Sequence, residues 1–153
     1  MTLKRKNHMD KIKIFSDGAA RGNPGPSSIG AVIDIDGKKK TYREFIGYAT
    51  NNEAEYKALI FALRKVKLLF GKTKSKNLSL DCYLVSELVV KQLNHQYKVN
   101  EENIQKFFLL VWNLTIDFKD VRFSHIPRTK NAEADRLANL ALDEATRAQS
   151  RMF

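Results

Sequence analysis

Ile12 and Ile14 alternate with Lys11 and Lys13 near the start of the chain, a period of two that predicts a strand with one buried face. After a Gly- and Pro-rich turn comes the apolar run "IGAVIDID", and Asp36-Gly37 is a hairpin signal leading into "KTYREFIGYA". These segments predict three antiparallel strands. From Asn51 the period changes. Leu59, Ala62, Leu63, Val66 and Phe70 recur at helical spacing, with Asn51 or Asn52 placed to cap the helix and Gly71 to stop it. "NLSLDCYLV" is a short β-rich run, followed by a helix from Ser86. Asn100, with "EEN" behind it, opens another helix, whose face Ile104, Phe107, Phe108, Val111 and Trp112 reads as core rather than as a platform for bases. "DVRFSHIP" is a final strand and "NAEADRLANLALDEA" a final helix, capped by Asn131.

The predicted order is βββαβααβα. Crossovers between parallel strands are right-handed, which places the fourth and fifth strands parallel to the first and on the side away from the hairpin. The fold class is therefore α/β, a mixed five-stranded sheet of order 3-2-1-4-5 flanked by helices. In such sheets ligands collect beyond the carboxyl ends of the parallel strands. Residues 1–9 are expected as a basic tail, 10–146 as the domain and 147–153 as a C-terminal tail.

Composition narrows the partner. In 153 residues, 27 Lys and Arg against 17 Asp and Glu give a net charge of +10, which favours a polyanion such as nucleic acid and says nothing about fold. Cys82 is the single cysteine, so no internal disulfide forms. No apolar run is long enough to span a bilayer, and "MTLKRKNHMD" lacks the hydrophobic segment of a secretory signal, so a cytoplasmic protein without membrane contact is expected.

Against this basic background three acids stand out. Asp17 ends the first strand with the side-chain parity of Lys11, Lys13 and Phe15, opposite to the apolar isoleucines, and a tight turn marked by Gly18, Gly22, Pro24 and Gly25 is expected beyond it. Glu55 and Asp135 each lie in the first turn of a helix, where an acid answers the helix dipole. Taken singly, each has that ordinary explanation. Together they can meet at one strand-end crevice, where they repel one another unless hard cations intervene. Magnesium takes oxygen ligands and is commonly shared with substrate phosphates, so a basic protein with an acidic hole points to metal-assisted phosphodiester hydrolysis. One Cys and three His without ligand spacing do not suggest zinc.

"DGAARGNPGPSSIG", "TNNEAEYKALIFAL", "VSELVVKQLNHQYKV" and "HIPRTKNAEADRLANLAL" resemble the four motif blocks of the ribonuclease H family, type 1, and span essentially all of Asp10 to Ala145. The absence of a long basic insertion resembles the compact form. The resemblance implies a ribonuclease H-like fold and hydrolysis of the RNA strand of RNA/DNA hybrids by a monomer using two Mg²⁺ ions, with Mn²⁺ as an alternative. It assigns Asp17 to both ions, with Glu55 and Asp135 each holding one side of the pair. Asn23, Asn51 and Asn52 match positions that contact RNA 2′-hydroxyls, Thr50 a phosphate contact on the DNA strand, and Ser86 a substrate-side position.

The family also places a His or Arg on a mobile loop near "HIPR". Arg128, beyond Pro127, is preferred for this place, and His125 is the alternative. The third block of the family reads Asp-Ser; Ser86 is present, and Val85 stands where the acid is expected. Valine offers no oxygen ligand. Asp81 is about 13 Å along the strand, too far to replace it; Glu87 is closer, at the start of the helix, but the resemblance places that position toward the substrate. A catalytically inactive, hybrid-binding module is the alternative function.

Overall fold

The computed structural model describes residues 11–151, so the basic tail at 1–9 lies outside the described residues. The elements run β1 (Lys11–Ala20), β2 (Gly25–Ile35), β3 (Lys38–Ala49), α1 (Asn51–Ser75), β4 (Ser79–Leu84), α2 (Glu87–Leu93), α3 (Glu102–Ile116), β5 (Asp120–His125), a 3₁₀ turn (Arg128–Lys130) and α4 (Ala132–Arg151). The sheet has five strands in the order β3-β2-β1-β4-β5. β1 pairs antiparallel with β2 and parallel with β4, and β5 is parallel to β4. The expected class and strand order are both found.

Cross-strand partners share a face, so register sorts the sheet's two sides. Ile12 pairs with Ile35 and Leu80, and Ile14 with Ile33 and Cys82; this side carries the main core, closed by Tyr56, Leu59, Leu63 and Val66 of α1 and by Val89, Ile104 and Val111 of the next two helices. On the other side Asp17 pairs with Gly30 and Phe15 with Val32, and α4 covers this part of the sheet. Trp112, expected in the core, is 48% exposed. It lies one position past Val111, which is fully buried, and so falls off the narrow inward stripe of α3.

Other differences lie at element ends. β1 continues past Asp17 to Ala20, so the turn to β2 occupies only residues 21–24 and Gly18 belongs to the strand. α1 is capped by Thr50, ahead of Asn51 and Asn52: its hydroxyl accepts from the Glu53 amide at 3.2 Å, while Glu53 accepts from the Thr50 amide at 2.8 Å. This is a complete capping box. Gly71 breaks the helical path with φ 82°, but a further turn reaches Ser75. At α3 the cap position is Glu101 rather than Asn100, without a side-chain bond. Residues 147–151, expected as part of a tail, continue α4.

Candidate active site

Two glycines bring two helices to Asp17. A Cβ on Gly18 would sit 2.2 Å from the carbonyl carbon of Ala54, so the first turn of α1 packs on the backbone of β1. That approach delivers the next residue, Glu55, to the strand, where its Oε1 accepts from the Gly18 amide at 2.9 Å. On the opposite face, Gly30 is the cross-strand partner of Asp17, and a Cβ there would lie 2.1 Å from the Ala134 carbonyl oxygen. The first turn of α4 therefore rests on the sheet beside Asp17 and presents Asp135. The expected convergence of the three acids is found around Asp17, three residues before the end of β1.

Their surroundings differ. Asp17 is 3% exposed and Glu55 8%, whereas the Asp135 side chain is 34% exposed. The Asp17 carboxyl lies within hydrogen-bonding reach of both others; burial above all, then the neighbouring Glu55 and Asp135, push it up to about 9. Glu55 is also pushed up, chiefly by burial, against the opposing pull of Asp17, the Gly18 amide and Arg128. Without a cation the buried pair thus retains a proton at neutral pH. Among the described residues no group of three acidic, His or Cys side chains is arranged, as it stands, to hold a metal ion. The acids form an arc, with Asp17 between Glu55 and Asp135.

Asp135 is held from its outer side. Its Oδ1 accepts from Arg128 Nη1 at 3.3 Å and from Asn139 Nδ2 at 3.2 Å. Arg128, in the 3₁₀ turn, thus reaches the acid arc. His125 ends β5 and is exposed. Glu87 is turned to Lys91, 2.8 Å away, with its side chain 59% exposed, and does not join the acids. Continuing the Phe15–Tyr83 register by two residues brings half-buried Val85 level with Asp17. The cluster has no carboxylate on that flank.

The remaining candidate residues ring the same end of the sheet. Asn23, beside the cis Asn23–Pro24 peptide, accepts through Oδ1 from the Asn51 amide at 3.0 Å, joining the β1–β2 turn to the start of α1. Asn51 is exposed and Asn52 half-buried, one and two residues after the cap Thr50. Ser86 caps α2 by accepting from the Val89 amide at 3.2 Å. The motif reading did not single out Asn131 beyond its place as a cap. It is 1% exposed, and its side chain does not cap α4: Nδ2 donates 3.0 Å to the Ser16 carbonyl.

Comparison with known proteins gives the family. The family described as reverse transcriptase-like matches residues 15–141. An RNase H1 isolated from compost by a metagenomic approach superimposes with a TM-score of 0.83 at 41% identity, over 90% of this chain and 99% of that one. This chain belongs to the ribonuclease H family. The same compost RNase H1 in complex with an RNA/DNA hybrid matches with a TM-score of 0.83 at 42% identity, over 88% of this chain and 99% of that one. The ribonuclease HI of Halobacterium salinarum is 38% identical over 88% of this chain and 66% of its own length. A bifunctional protein of Mycobacterium tuberculosis is 37% identical over 90% of this chain, which spans only 37% of that relative. Among the described residues no helix is long and apolar enough to cross a membrane.

Proposed function

We propose that this ribonuclease H-family chain, of the compact type 1 form, binds RNA/DNA hybrids at the acid arc and hydrolyses the RNA strand with divalent cations, at a rate reduced by Val85. The observation that carries the reading is the meeting of Asp17, Glu55 and Asp135 at one end of β1. The donor set fits a hard cation. It consists of carboxylate oxygens, and Glu55 Oε2 is buried with no hydrogen-bond partner. Asp17, Glu55 and Asp135 would hold Mg²⁺ or Mn²⁺, which when bound supplies charge neutralisation and polarises a phosphate oxygen.

The chain's own residues do the rest. Asp17 must give up its proton as a cation enters, so binding tightens as pH rises. Arg128 offsets the charge of Asp135 until then, and its place on the 3₁₀ turn suits a role in releasing product. The Asn23–Asn51 bond holds two substrate-facing residues at the helix start, where exposed amides and side-chain oxygens can meet 2′-hydroxyls. The net charge of +10 draws the polyanion in.

The test is cleavage of a labelled hybrid in Mg²⁺ or Mn²⁺, beside a Val85→Asp variant. Slow cleavage that accelerates in the variant supports the proposal. A second reading, hybrid binding without catalysis, is favoured by the bare flank at Val85: it predicts no cleavage by the chain as written, with binding that prefers hybrid over duplex DNA. Equal, steeply salt-dependent binding to both nucleic acids would leave only nonspecific charge and sink both readings.

A further inference from the structure

Asn131 sits at the position that would cap α4, and its backbone carbonyl accepts from the Asp135 amide at 3.1 Å. Its side chain turns away from the helix. Nδ2 instead donates to the carbonyl of Ser16, the residue before Asp17, across 115 positions of sequence and in a buried setting. Oδ1 is buried without a donor. An orphaned buried oxygen and a forgone cap both cost stability, so local stability alone does not account for this orientation. The Asn131 side chain holds the main chain next to Asp17, while its carbonyl accepts the ordinary first backbone bond of α4, from the Asp135 amide.

We infer that Asn131 is a positioning residue that sets the spacing between Asp17 and Asp135, and through it the affinity of the acid arc for divalent cations. The inference rests on the proposal that these acids hold cations. Gly30 allows α4 to approach the sheet but does not choose where along β1 the helix start comes to rest. Ser28, whose hydroxyl donates to the Ala138 carbonyl, ties the same helix to the sheet about one turn past Asp135, opposite Ala19 rather than Asp17. It is the natural control for a tie that is merely structural.

The experiment compares Asn131→Ala, Asn131→Ser and Ser28→Ala with the unaltered chain, measuring melting in chelator and the Mg²⁺ and Mn²⁺ concentrations that half-saturate the metal-dependent rise in melting temperature. Serine can cap α4 but is too short to reach Ser16. Asn131→Ser should therefore melt above Asn131→Ala while both need five-fold or more additional cation. Ser28→Ala should melt lower and keep the cation requirement of the unaltered chain. Should Asn131→Ala fail to fold, Asn131→Ser alone decides. Unchanged half-saturation in the Asn131 variants would overturn the inference and leave the cation site standing. Absence of any cation effect in the unaltered chain would instead remove the cation site, and the inference with it.

Discussion

Replacing Asp17 by asparagine should stabilise the metal-free protein, and by an amount that grows with pH. Asp17 is pushed up to about 9 in the fold, from an ordinary value of 3.8. Between those values the folded chain holds a proton that the unfolded chain has released, so stability falls as pH rises. There is no penalty below the unfolded value, and no further change above the folded one. Within the window the slope is about 1.4 kcal/mol per pH unit, so moving from about pH 6 to 8 costs about 3 kcal/mol. For a domain of this size that is about 5–10 °C in melting temperature. Asparagine fills the same space and carries no proton to lose. Thermal melts of both proteins in chelator across this range, compared as a difference so that titrating groups remote from the Asp17–Glu55 pair cancel, give the test. The gap should widen with pH in favour of Asp17→Asn and narrow when Mg²⁺ is added. A gap that stays constant from pH 6 to 8 would refute the idea that burial and the two neighbouring acids hold a proton on Asp17.

Three further outcomes are expected. Gly18→Ala puts a methyl group against the Ala54 carbonyl, so α1 must retreat; a loss of about 1–3 kcal/mol in denaturant unfolding should accompany weaker cation binding, and unchanged stability would contradict the close packing. Val85→Asp adds a fourth carboxylate level with Asp17, so its melting temperature should drop in chelator and recover in Mg²⁺, whereas an unchanged melt in chelator would place the new acid outside the cluster. Arg128→Ala removes a cation from Asp135; because the pair is largely exposed, stability should change by no more than about 1 kcal/mol, while calorimetry should show Mg²⁺ binding at least as tight as in the unaltered chain.

Much of the architecture was legible because periodicity reports burial. Alternation at Ile12 and Ile14 and the helical stripe from Leu59 to Val66 are consequences of one face meeting a core, and they held. Element ends were less legible, since caps depend on single hydrogen bonds that compete with neighbours. Thr50 displaced Asn51 and Asn52 because Glu53 completes a reciprocal box with it. Gly18 was read as part of a turn because glycine signals turns, whereas its absent side chain serves a helix packed on the strand.

By itself, the sequence determined which acids were available, which of them lay at strand and helix ends, and that Val85 offers no oxygen; residue identity and local period suffice for these. Only the tertiary structure decided that Gly18 and Gly30 bring Glu55 and Asp135 to opposite sides of Asp17, that Arg128 rather than His125 reaches the arc, and that Asn131 leaves its cap to grip β1. Apart from the Arg128–Asp135 bond, seven positions apart, those outcomes depend on contacts between residues tens of positions or more apart, whose distances are set by packing helices on a sheet, and no local pattern encodes them.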